Sequence, residues 1–228
     1  MRTGLTTFST LLLSSALLCS LVSAHAQFLN AVSQGNYNGY YHQTGDNSYF
    51  TGYYYGGPHY SYFVFDLSDI TRPITYAAFS APNPAGGFTA GGTYGTSTFG
   101  VTDTFTLYAV TDSVASVEAG YPGQTYQQGN QIYSDLVSGT AVGSVTVSDA
   151  YDNGNVQFML NSSGLAFLNA NEGQQVVFGG ALSGHNGLFS NSSSFTPQLT
   201  LAPEPGTYAL LGSILLTGAG FLNGRRTR

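Results

Sequence analysis

Tyr60–Ser68 reads YSYFVFDLS, and its alternation decides the fold class. Successive side chains of a strand project to opposite sides, so Phe63 and Phe65 share one face while Tyr62 and Val64 share the other. The phenylalanines are expected to point into a core. Asp66-Leu67-Ser68-Asp69 then closes the strand with Asx-type turn chemistry.

Upstream, Asn36–Tyr62 holds nine of the seventeen tyrosines, interleaved with Gly, Asn and Ser. Aromatic side chains at this density favour strands, and the small polar residues between them suit turns. YYH (40–42) and SYFTGYYY (48–55) therefore read as short strands. Downstream, ITYAAFSAP (74–82) is β-rich and is expected to stop at Pro82 and Pro84, followed by a Gly-rich loop, AGGFTAGGTYGTS (85–97). DTFTLYAVTD (103–112) sets Phe105, Leu107 and Ala109 against Thr104, Thr106, Tyr108 and Val110, the period of a half-buried strand. GTAVGSVTVS (139–148) and NVQFMLN (155–161) flank Asp152-Asn153-Gly154, strong turn chemistry that predicts a hairpin. SSGLAFLNANEG (162–173) is the one helix expected, capped by Ser162 or Ser163, with Leu165 and Leu168 on one face and Gly173 as its stop. QQVVFGGAL (174–182) and FTPQLTLA (195–202) supply closing strands. Many short strands with frequent turn signals and almost no helix predict an all-β fold, an antiparallel β-sandwich of jelly-roll-like type. A β-solenoid would need a fixed repeat, which the sequence lacks.

The chain of 228 residues carries a formal charge of −6, but its cations are unevenly placed. There is no Lys, and Arg2, Arg225, Arg226 and Arg228 lie near the ends, so Gln27–Ala202 holds ten acidic residues against Arg72 alone. Phosphate backbones and anionic lipid require clustered cations, which excludes nucleic acid as an expected partner. The length fits one sizeable β domain, assigned to residues 27–201.

Residues 1–26 carry a basic start at Arg2, an apolar stretch from Leu11 to Val22, and small residues at Ala24 and Ala26. That is the pattern of a secretory signal peptide cleaved after Ala26. Lipidation at Cys19 would need a small residue where Leu18 stands. With Cys19 removed the mature chain has no cysteine, so no disulfide framework is expected.

Catalytic signatures are sparse. No H-E-x-x-H, G-x-S-x-G or phosphate-binding glycine loop occurs. His42, His59 and His185 lack partners at metal-ligand spacing and read as turn or surface residues. Asp66 with Asp69, and Asp149 with Asp152, are the nearest carboxylate pairs, both in turn contexts where Asp serves local hydrogen bonds. DAYDNGN (149–155) lacks the alternating acids and distal Glu of an EF-hand loop. No cofactor or metal is expected. Tyr53, Tyr54 and Tyr55 are the candidates for stacking on a sugar ring, since each has an apolar face and a hydroxyl.

Ala202–Arg228 combines Pro203-Glu204-Pro205, the apolar GTYALLGSILLTGAGFLN (206–223) and a basic end (224–228) with Arg225, Arg226 and Arg228. As helix, the apolar run extends about 27 Å, a marginal span, and arginines behind it favour a cytoplasmic C-terminus. This three-part tail resembles the PEP-CTERM sorting signal of Gram-negative bacteria, which implies processing by a membrane enzyme, exosortase, at Pro203-Glu204-Pro205. From about Asn38 to Leu201 the chain is similar to exported bacterial sandwich domains with an FxFDLS strand and an LNxxxLxxLN segment before xFxxGG. That similarity implies a jelly-roll-like fold and no assigned activity. The expected protein is non-enzymatic and exported: an inner-membrane intermediate that becomes a structural or adhesive component of the cell surface or the exopolysaccharide matrix of a biofilm. A carbohydrate-binding module and a glycan-active enzyme are the alternatives.

Overall fold

The computed structural model describes residues 26–38, 47–54, 57–89, 102–190 and 192–203. Tyr60–Asp66 lies within β4 (Gly57–Asp66), which sits at the centre of a seven-stranded antiparallel sheet. On one side β4 pairs with β9 (Gln175–Leu182), Phe63 opposite Phe178. On the other side its first half takes β3 (Thr51–Tyr54) and its second half β2 (Ser33–Tyr37). Beyond β9 the sheet continues through β6 (Asp103–Val110) to β7 (Ala141–Val147), and β10 (Gly187–Leu188) adds to β3. A four-stranded sheet has the order β1 (Gln27–Asn30), β11 (Gln198–Pro203), β5 (Ile74–Asn83), β8 (Gly154–Met159).

The two sheets enclose a core of aromatic rings. Phe79 of β5 meets Phe63 at 5.0 Å and Phe105 at 6.2 Å, so it ties the short sheet to the long one. The alternation of Phe105, Leu107 and Ala109 is realised with all three buried. Phe63 and Phe65 point into this core as expected.

Helix content exceeds the expectation. Besides α4 (Ser162–Ala170), the β6–β7 connection folds into α1 (Val114–Glu118), α2 (Gly120–Gly123) and α3 (Tyr126–Ser138). These cover the outer face of the long sheet, where Tyr62, Val64 and Val177 form a second buried cluster with Tyr37, Val117, Ile132 and Leu136. Both faces of β4 are therefore buried. Its second face is apolar because helices lie on it. The α3 start is a capping box: Gln128 N donates to Thr125 Oγ1 and Thr125 N donates to Gln128 Oε1. In α4 the cap is Asn161, whose Oδ1 accepts Gly164 N at 3.0 Å, rather than Ser162 or Ser163.

Two further expectations are corrected. β7 and β8 do not form a hairpin: β7 pairs with β6 and β8 with β5, so the connection steps from one sheet to the other. Asp149–Tyr151 is a 3-10 turn, Asn153 has φ 56°, and Asp152 is drawn aside by the N–H groups of Gly87 and Phe88. β5 also runs through Pro82, which pairs with Asn155 while its carbonyl accepts the Tyr49 hydroxyl at 2.7 Å. The YYH strand and most of the Gly-rich loop lie outside the described residues.

Candidate functional site

The helices that cover the long sheet leave a groove of about 360 Å³ between them. Its apolar lining residues are Ala115, Ala119 and, from α3, Ile132, and its polar ones are Ser116, Gln124, Gln128 and Gln131. Every lining residue is uncharged. The volume lies at the small end of ligand pockets.

Each amide is held at one end. Gln124 Nε2 donates to the Ser116 carbonyl and, at 3.1 Å, to the Tyr37 hydroxyl beneath the groove. Tyr37 in turn donates to the Val117 carbonyl at 2.6 Å, and burial pushes its phenol up to about 12. Gln128 spends Oε1 on the capping box at 2.8 Å. Gln131 spends Nε2 on both oxygens of Asp135, at 3.0 and 2.9 Å. What remains is a donor on Gln128 and an acceptor on Gln131, three residues apart and hence neighbours on one helix face.

Behind Gln131, the Asp135 carboxylate stands close to Asp112, in the turn between β6 and α1. Burial raises the Asp112 carboxyl above its usual range, and Asp135 raises it further. Asp112 Oδ2 is buried and has no hydrogen-bond partner among the described residues.

Other carboxylates act as staples. Asp66 Oδ1 accepts Ser68 N at 2.9 Å, the expected Asx turn, and that N–H holds the carboxyl below its usual range. Asp103, buried, accepts Ser183 Oγ at 3.0 Å and Asn186 N at 3.3 Å. Asp152 Oδ1 accepts Gly87 N at 2.9 Å. Arg72 is exposed and, among the described residues, pairs with neither Asp66 nor Asp69; Asp66 turns back onto its own backbone. Among the described residues no cluster of three His, Cys, Asp or Glu could hold a metal ion.

The histidines separate. His185 is exposed and lies 5.1 Å from the Tyr53 ring. His59 is neither a turn nor a surface residue: it is buried within β4 at 5 % exposure, edge-on to Phe50 and Tyr54. Its Nδ1 is 3.0 Å from Asn36 Oδ1, and Asn36 commits its amide nitrogen to the Ser48 carbonyl, so Nδ1 carries the proton. Burial pushes this imidazole down to about 4.

Tyr53 and Tyr54, adjacent in β3, project to opposite sides of the strand, Tyr53 beside His185 and Tyr54 beside Phe50 and His59. Both are half-buried. Ala26 immediately precedes β1, and Pro203 ends β11. Ala24, Tyr55, His42, Glu204, Pro205, Arg225, Arg226 and Arg228 lie outside the described residues. Among the described residues no helix is long and apolar enough to cross a membrane. The groove escaped the sequence reading, although Thr125-x-x-Gln128 ahead of Ile132 and Leu136 is a helix-start signature.

No family model matches the chain, and no curated protein matches it.

Proposed function

We propose that the protein is exported and sorted by an exosortase-type enzyme to the cell surface or extracellular polysaccharide matrix, where it acts as a non-enzymatic structural or adhesive component. The observation that carries this reading is the three-part stretch Pro203-Glu204-Pro205, apolar run, Arg225-Arg226-x-Arg228. The body supports it. Its first strand begins at Gln27, next to the expected signal cleavage, and its last ends at Pro203, where the sorting motif starts. The strand orders β1-β11-β5-β8 and β4-β9-β6-β7, with the chain changing sheet at the steps β4 to β5, β5 to β6, β7 to β8 and β8 to β9, support a jelly-roll-like reading of the body.

Intact-mass measurement of the protein recovered outside the cell tests the proposal. A chain starting at Gln27 and ending near Glu204 is the expected result, and a C-terminus at Arg228 overturns it in favour of a single-span anchor. A glycan-binding module is the second reading, favoured by the uncharged, amide-lined groove.

A further inference from the structure

We propose that the groove between α1 and α3 binds a sugar unit of a neutral polysaccharide, Gln128 donating to one ring hydroxyl and Gln131 accepting from its neighbour. This names the ligand class of the matrix reading and rests on it for its biological setting. The argument starts from what the two amides have left. The Gln128 oxygen is fixed by Thr125 N and the Gln131 nitrogen by Asp135, so each amide plane is oriented by the protein before any ligand arrives. A preorganised donor beside a preorganised acceptor matches adjacent hydroxyls, each of which can both donate and accept.

The rest of the groove selects for the same chemistry. Ala115 and Ala119, with the edge of Ile132, give the lining apolar surface for the C–H groups of a pyranose ring. No lining side chain carries a charge, so a uronate, sulfate or phosphate would find no counterion there. Asp135, held by Gln131 just behind the wall, and Asp112 beside it would repel an anion. A cationic ligand would meet the neutral amides first and is no better served. The groove is open, which suits one unit of a continuing chain rather than an enclosed metabolite.

The test is binding of the purified full-length protein to soluble neutral polysaccharides, a glucan, a galactomannan and a galactan, with alginate as the anionic control. Affinity electrophoresis and titration calorimetry give the readout. Retardation by at least one neutral polymer and none by alginate is expected. Gln131→Ala should weaken binding about tenfold, the scale of one hydrogen bond. Ala119→Phe, at an exposed position, should fill the groove and abolish binding while the melting temperature is unchanged. Binding that both variants retain at full strength overturns the site. Preferential binding of alginate, or of no polymer, overturns the ligand class. An unprocessed C-terminus with intact glycan binding would defeat the sorting reading and leave this one standing, and the converse result would do the reverse.

Discussion

His59 places a titratable ring inside a wall of aromatics, and acid stability should report it. The imidazole is pushed down to about 4 in the folded chain, against about 6.5 when unfolded, so the folded state resists protonation that the unfolded chain accepts. Stability from this group is complete above pH 6.5 and is lost as pH falls towards 4. The loss should reach at most about 3 kcal/mol, and His59→Gln should flatten that part of a denaturation-versus-pH curve. Asp112 has the opposite sign. Its raised carboxyl means that the folded chain keeps a proton the unfolded chain gives up, so its contribution is present in acid and lost as pH rises through the folded pKa. Asp112→Asn should therefore stabilise more at pH 7 than at pH 3.5, and an equal gain in melting temperature at both would contradict this account. Gly179 and Gly180 show a third kind of residue effect, one glycine for each face of β9. A Cβ on Gly179 would strike the Leu136 carbonyl of α3, and one on Gly180 would strike Ser61 Oγ and Phe105. Gly179→Ala should cost about 1–3 kcal/mol in chemical denaturation, the usual scale of overpacking, through lifting of α3.

Among the elements, legibility followed local pattern. β4, β6 and α4 could be read because their periodicity is short-range: Phe63 with Phe65, Phe105 with Leu107, Leu165 with Leu168. The partner of a strand is not a local property, and the false β7–β8 hairpin shows why. Asp152-Asn153-Gly154 does make a turn, but Asp152 is engaged by Gly87 and Phe88, sixty-odd residues away, and the strands leave for different sheets. α3 was missed for another reason: Tyr126–Ser138 is rich in Gln, Asn and Ser, with only Ile132, Leu136 and a glycine buried, so its apolar stripe is thin. What fixes α3 is tertiary, namely the seat at Gly179 and the stacking of Tyr133 on Tyr60 at 4.5 Å. Because Leu136 is fully buried between helix and sheet, Leu136→Ala should lose about 2–5 kcal/mol. Thr125→Ala removes only the cap, at about 1 kcal/mol. The backbone N–H at position 125 that fixes Gln128 Oε1 survives this change, so glycan affinity should be kept.

At the scale of the whole molecule, the two sheets are finished differently. The long sheet is roofed by helices; the outer positions of the short one stay open, with Phe28, Tyr76 and Met159 at 63, 40 and 67 % exposure. The fold class was legible because strand and turn signals add up along the chain, whereas the groove was not, since it exists only where α1 and α3 converge over β4. The pairing of Gln27 with Leu201 carries a consequence for the order of assembly. β1 is the first segment of the body and β11 the last, so β1 has no neighbour in its sheet until the body has been synthesised to its end. A search over so long an intervening chain is slow, because loop closure must precede the contacts that reward it. A chain of this topology remains unfinished while it is being made. For a chain exported as we propose, that delay would keep it threadable through a narrow membrane pore until β11 arrives to complete the sheet.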